Sequence, residues 1–454
     1  MVYTAVGALT KAVGLLSLPV FTRILSEEEF GRLTLYMTVL GLLSVIASPW
    51  YSGNAIYKGM LHFKEREEDF LSSSYGLFLI FTIPLILLSI PLARGIGVSL
   101  GLLSVIYLQL LLDGAVGLYL SYQRHNYGYL KAARISLLLA ILPPIISFVL
   151  IRVFSLGLYG RILGILLVSL AVGGALLVKM VKNSAQLVHF AMWRYTAGLC
   201  LPMLPQGISS AASAELDKLV LVWALGERAL AGYSVAHTLG LGLSFLTTAL
   251  GYALMPWIMR RLERGEDDRI GEVVETAHLV MAAATVFLVA LSPELMRFLA
   301  PRAYSEAIWA VLPVALSVLP SFLSSILVAG LIHRGGGFSL SLGAIAASLT
   351  NLSLSLLLIP RLSYFGAGLS LLVSSLTSLA VNSYLVSRRG VKGLVPNGGT
   401  LAQLAFTAAL GTVMLLLYNY SAVRILLLIP PALIGTTAVI NARGLIFEKK
   451  QPEK

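Results

Sequence analysis

The 454-residue chain holds a single cysteine, Cys200, so it cannot form an internal disulfide. It has no Cys-x-x-Cys pair and no Cys/His cluster, which excludes a structural zinc site. Charge is scarce as well: Asp, Glu, Lys and Arg make up 12% of the residues, about half the share of a soluble domain. Asn and Gln together number only 14. That shortage, with the single cysteine, points to a thermophile; the expected source is a prokaryote, with a thermophilic archaeon as the candidate. No Lys or Arg precedes the first apolar stretch and no small-residue cleavage site follows it, so it reads as a retained span and not a signal peptide.

What is present is apolar. Hydrophobic residues make up 57% of the chain, and the mean hydropathy is +0.87. A soluble protein has a wet surface and could not hide this much apolar area, which excludes a soluble enzyme. A bilayer-crossing helix takes ~20 apolar residues. The hydropathy pattern places spans at about 2–22, 32–57, 70–93, 97–121, 134–151, 158–179, 196–224, 232–257, 274–296, 304–332, 338–359, 366–386, 401–418 and 424–443. The expected fold class is therefore an all-α polytopic membrane protein of about 14 helices. An open sheet leaves its backbone unsatisfied in lipid, and the alternation of a β-barrel is missing.

The net charge of +12 reports orientation and contact with anionic lipid, not nucleic acid. With flanking residues, loops 58–69, 122–133, 180–195, 258–273, 333–337, 387–400 and the tail carry 21 Lys/Arg. The opposite side carries 11, including Arg23, Arg161, Lys218 and Arg424. Both termini are accordingly expected in the cytoplasm, with an unusually basic outer side. The acidic runs Glu65–Asp69 and Glu266-Asp267-Asp268 fall in cytoplasmic loops and read as solvated faces.

The chain echoes itself at an offset of about 200 residues. Leu25-Ser26-Glu27-Glu28-Glu29-Phe30-Gly31 and Leu225-Gly226-Glu227-Arg228-Ala229-Leu230-Ala231-Gly232 are both short polar turns ending in glycine. Ile151-Arg152 with Gly157 matches Pro360-Arg361 with Gly366. Six spans followed by six in the same orientation imply a parallel repeat. The expected organisation is a first lobe at 1–185, a second at 186–395, and two further spans with a tail at 396–454. Such lobes commonly hold a substrate cavity between them near the midplane.

Ionisable groups inside spans are costly and are functional candidates by default. Lys11 sits near the middle of span 1. Asp113 sits in span 4, with Gln109 one turn before it on the same face. Glu215, Asp217 and Lys218 sit in the outer part of span 7, with Glu215 and Lys218 spaced to pair. Gln206 is a further polar group of that span, and His237 lies in span 8 as a buried polar residue or a proton-linked one. Lys218 either snorkels to headgroups or faces a cavity. Arg23 either caps the C-terminal end of span 1 or binds an anion. Asp113 is either a lysine's buried partner or a protonatable group. Gly14, Pro19, Pro49, Pro202 and Pro205 interrupt spans 1, 2 and 7 and are candidate gating hinges, beside the plainer reading of ordinary membrane-helix packing.

The segment Leu18-Pro19-Val20-Phe21-Thr22-Arg23-Ile24-Leu25-Ser26-Glu27-Glu28-Glu29-Phe30-Gly31 resembles the first outer loop of the polysaccharide (oligosaccharide-lipid) flippase family. That family belongs to the multidrug/oligosaccharidyl-lipid/polysaccharide exporter superfamily. Asp217-Lys218-Leu219-Val220-Leu221 and Gly232-Tyr233-Ser234-Val235-Ala236 are similar to its motifs at spans 7 and 8. Ser292-Pro293-Glu294 with Tyr304 and Ala307, and Tyr364-Phe365-Gly366-Ala367-Gly368, resemble two later ones. The four motifs stand in the family's order and cover nearly the whole chain.

The resemblance implies a two-lobed, alternating-access flippase. It would move oligosaccharide linked to a polyprenyl phosphate or pyrophosphate from the inner to the outer leaflet of the cytoplasmic membrane. Its last two spans would line a groove for the lipid tail, and glycan-assembly enzymes would act before and after it. A sugar cannot cross hydrocarbon without losing water from every hydroxyl, whereas a wet cavity spares it that loss. Lys11, Arg23 and Lys218 are the cations available to the anionic linker, and Lys11 and Lys218 are placed by the repeat to clasp it from both lobes. No metal or organic cofactor is expected; a coupling H+ or Na+ is, with Asp113 as its candidate carrier. Two rivals stand beside this reading. A multidrug exporter of the same superfamily wants anionic cavity residues, and a membrane glycosyltransferase or glycan polymerase wants a large outer loop with paired carboxylates.

Overall fold

A computed structural model of the chain describes residues 2–184, 186–265, 270–335, 339–433 and 435–437. Every regular element among them is helical, as the hydropathy requires, since a helix satisfies its own backbone where no water can. Ten of these helices are long and apolar enough to cross a membrane. The acidic run Glu266-Asp267-Asp268, Arg269, loop residues 336–337 and the tail cations Lys449, Lys450 and Lys454 lie outside the described residues.

The helices form two compact units, 1–231 and 232–454. The first contains α1 (Val2–Ile24), α2 (Glu27–Ala47), α3 (Asn54–His62), α4 (Glu67–Gly95), α5 (Leu100–His125), α6 (Tyr129–Phe154), α7 (Gly157–Asn183), α8 (Phe190–Cys200) and α9 (Leu204–Leu225). The unit extends past residue 185, where the repeat placed a lobe boundary, because α9 packs along α2. The approach is close where side chains are small. A Cβ on Gly41 would stand 3.2 Å from the Glu215 Oε1, and one on Gly207 would stand 3.6 Å from the Val45 carbonyl.

Three expected continuous spans are broken. Span 2 stops at a 3-10 turn, Ser48–Trp50, and resumes as α3 after Gly53, whose φ is 84°. Span 7 is broken by a 3-10 turn at Leu201–Met203. Pro49 and Pro202 sit in these turns; proline lacks an N–H and its ring clashes with the carbonyl four residues earlier. The two breaks touch, since the Cys200 thiol donates to the Pro49 carbonyl at 3.1 Å. A third break, Leu241–Leu243, divides span 8 into α10 (Glu227–Gly240) and α11 (Ser244–Arg264) without a proline.

The second unit is built on α12 (Ile270–Leu299), α13 (Val311–His333), α14 (Ser339–Arg388), α15 (Gly398–Leu416) and α16 (Ser421–Leu426). Its core runs along α12 and α13 through Met281, Val289, Leu319, Phe322 and Leu327. Nearly every α13 side chain is buried. The 50 residues of α14 are two helices, as the spans at 338–359 and 366–386 anticipate. Ser363 is non-helical (φ 51°, ψ −131°), and a Cβ on Gly366 would strike the Leu358 carbonyl. Residues eight apart in a straight helix lie ~12 Å apart along its axis, so the chain reverses here. The matching turn of the first unit also uses a serine at positive φ, Ser155 at 55°.

Helix α6 lies directly on α7 because Gly164 leaves room for Ser147, and a Cβ there would meet the Ser147 hydroxyl and backbone. Gly164→Val should therefore cost about 1–3 kcal/mol by overpacking, read as a lowered thermal midpoint of the purified protein. An unchanged midpoint would contradict this packing.

Candidate functional site

The polar groups of the first unit gather in three places. The first is the turn between α1 and α2. Ser26 caps α2: its hydroxyl accepts the Glu29 N–H at 3.2 Å, and the Ser26 N–H donates to Glu29 Oε2 at 2.9 Å. The second carboxylate oxygen, Glu29 Oε1, accepts the Leu158 N–H in the first turn of α7 at 3.1 Å. Gly157 makes that approach possible: its φ is 48°, and a Cβ there would strike the carboxylate. Arg32 pairs with Glu227 at 2.7 Å, and Arg228 pairs with Glu27. Gly31 lies against the Glu227 backbone with no room for a side chain. The two turns that echo each other in sequence thus meet and exchange ion pairs.

The second place is the middle of α9. The Lys218 ammonium donates to Glu215 at 2.8 Å, with both side chains largely buried, and Thr38 of α2 hydrogen-bonds Glu215. Asp217 is fully buried and accepts the Lys218 backbone N–H at 2.9 Å. Gln206, part-buried a few turns earlier, donates to Ser210 at 3.4 Å.

The third is on α5. Gln109, 3% exposed, donates through Nε2 to Asp113 Oδ1 at 2.8 Å and to Ser169 Oγ on α7 at 2.6 Å. Its own Oε1 is buried without a hydrogen-bond partner, as is the nearby Tyr36 hydroxyl on α2.

The remaining sequence candidates are dispersed. Lys11 and Gly14 lie on the exposed side of α1. Arg23 is exposed and donates to the Pro19 carbonyl at 2.9 Å, the geometry of a cation capping a helix C-terminus. Pro19 lies inside α1, Pro49 and Pro202 lie in the 3-10 breaks, and Pro205 lies in the first turn of α9. His237, in the second unit, is 8% exposed and packs its ring 5.4 Å from that of Tyr233. The structure therefore brings together Glu215, Asp217 and Lys218, and separately Gln109 and Asp113. No cluster of three potential metal ligands occurs among the described residues.

Sequence reasoning missed three features. Arg424 of α16 is buried and pairs with Glu294 of α12 at 2.7 Å, tying the last helices to the second unit. His278 shares a hydrogen bond with Gln403 of α15 at 3.0 Å. A shallow apolar groove of about 190 Å³ runs beside these contacts, lined by Leu279, Val286, Phe406, Leu410, Leu427 and Pro430. A lone arginine and a lone histidine in apolar runs were the available signals, but their partners lie more than a hundred residues away.

Residues 1–261, more than half of the chain, match the family described as polysaccharide biosynthesis protein. The chain belongs to this family. The fold of this family member is shared with solved flippases and transporters, as the sequence motifs anticipate. A lipid II flippase, MurJ, in an inward closed conformation matches it with a TM-score of 0.73 at 13% identity, covering 98% of each chain. An inward-facing multidrug resistance MATE family transporter matches with a TM-score of 0.62 at 13% identity, over 84% of this chain and 95% of the other. A superfamily transporter from Pyrococcus furiosus matches with a TM-score of 0.57 at 14% identity, over 87% and 95%. No curated protein sequence matches the chain significantly.

The α9 pair makes a direct prediction. Glu215→Ala leaves the largely buried Lys218 ammonium without this partner, at a cost of about 3 kcal/mol. Glu215→Ala/Lys218→Ala should be more stable than Glu215→Ala alone. Thermal unfolding of wild type, Glu215→Ala, Lys218→Ala and the double variant measures the coupling; additive losses would mean that the pair carries none.

Proposed function

We propose that this family member is a flippase that moves an oligosaccharide carried on a polyprenyl phosphate or pyrophosphate across the cytoplasmic membrane by alternating access. The observation that carries the reading is the apolar groove between α12 and α15, flanked by Leu427, Pro430 and Pro431, in a member of a polysaccharide biosynthesis family. An unbranched lipid tail can lie in such a groove and keep its apolar surface out of water. The match to a lipid II flippase over 98% of both chains supports it, since the likeness extends through nearly all of α15 and α16. The glycan would travel through a hydrated path.

Lys11 and Arg23 are the linker's cations in this reading. Lys218 joins them once Glu215 releases it. Asp113, with the orphaned Gln109 Oε1 and Tyr36 hydroxyl beside it, is the proposed carrier of a coupling proton or sodium ion. Both termini lie in the cytoplasm, and the α1–α2 turn faces outward. The second reading, a cation-coupled multidrug exporter, draws on the matches to MATE family transporters and on the carboxylates Asp113, Glu215 and Asp217.

Flipping of a labelled short-glycan polyprenyl pyrophosphate in proteoliposomes tests the reading. Wild type should transport it, Lys11→Ala should lose most of the rate, and Asp113→Asn should remove the dependence on an imposed proton or sodium gradient. Transport of a cationic drug in place of the glycolipid would overturn the flippase reading.

A further inference from the structure

Helix α11 has two unlike faces. Leu254, Ile258 and Leu262 are buried in the core of the second unit. On the opposite side a cavity of about 270 Å³ is lined by Ala253, Pro256, Trp257, Arg260, Arg261 and Arg264. Spacings of three and four residues put these side chains in one row along the helix. The row is apolar at its start and carries three guanidiniums at its C-terminal end. Gly265, at φ 70°, ends the helix directly after Arg264.

The guanidiniums are short of anions. Among the described residues no carboxylate lines the cavity, and Glu263 of the same helix is not part of its wall. Arg260 and Arg264 are exposed and make no ion pair or hydrogen bond among the described residues. They stand one helical turn apart, where like charges destabilise a helix. The negative end of the helix dipole offsets part of that cost. Arg261 is oriented: its Cζ lies 4.7 Å from the centroid of the Trp257 ring, and Trp257 packs against the core of the unit.

We propose that this face of α11 binds the headgroup of an anionic phospholipid. The phosphate lies among the three guanidiniums, which donate to its oxygens. The start of an acyl chain runs back along Ala253, Pro256 and Trp257. The order of the row is the order of the groups in the lipid, anionic at one end and apolar beside it. A soluble phosphate ester would use the arginines and leave the exposed Ala253 and Pro256 uncovered. A bound phosphate also removes the repulsion between Arg260 and Arg264. The site is independent of the flippase reading, since a bilayer lipid fills it whatever the cargo.

The test is titration of phosphatidylglycerol into the detergent-solubilised full-length protein, read by native mass spectrometry. Wild type should bind it more tightly than phosphatidylcholine. Arg260→Gln/Arg264→Gln should weaken binding of phosphatidylglycerol about tenfold. Arg264→Gln alone should show part of that loss, and it guards against a folding defect in the double variant. Lys131→Gln/Lys182→Gln removes the same charge from exposed positions on α6 and α7 and should bind like wild type. Equal loss in the two double variants would reduce the effect to net charge and overturn the site. Unchanged binding in Arg260→Gln/Arg264→Gln, or equal affinity of wild type for the two lipids, would overturn it as well. Displacement of the lipid by inorganic phosphate at equal concentration would overturn the choice of a lipid.

Discussion

The Glu29 carboxylate is the contact on which one end of the first unit depends. One oxygen completes the capping box of α2, and the other takes the Leu158 N–H that would otherwise be orphaned at the start of α7. An anion is favoured at both helix N-termini. With α2 placed by this contact, Gly31 meets Glu227, and the pairs Arg32–Glu227 and Glu27–Arg228 carry the same junction to α10. Those exposed pairs contribute little stability singly. Their effect is registry: charges exchanged in both directions admit one alignment of the two turns.

Much of this was legible in the residues. Ser26 with Glu29 three positions later is a capping signal, and the similarity of the Ser26 and Gly226 turns was visible at an offset of about 200 residues. That the two turns touch was not, because contact between residues two hundred apart leaves no local pattern. Pro49 and Pro202 marked the places where spans 2 and 7 break. The break at Leu241–Leu243 had only Gly240 and Gly242 to announce it, and glycine is common in membrane helices. The packing of α9 against α2 carried the first unit past the boundary read from the repeat, since a repeat reports ancestry of topology and not adjacency in space.

The candidate sites divide the same way. Spacing along one helix revealed Glu215 with Lys218 and Gln109 with Asp113, because partners three or four residues apart share a face. Arg161 was one of eleven cations that the charge pattern assigned to one side, and nothing in sequence separated it from the others. Its distinction is that Ser147 and Phe21, from two other helices, hold the guanidinium while leaving one edge unused. The polar groups of the first unit thus fall into those that bind helices together and those with unsatisfied capacity.

The central claim, that one carboxylate joins two helix starts separated by about 130 residues, is tested most directly by hydrogen exchange. Peptides covering residues 24–30 and 155–162 are followed by mass spectrometry in wild type and in Glu29→Ala. The account predicts faster exchange in both segments of the variant. Faster exchange in 24–30 with an unchanged 155–162 segment would contradict it.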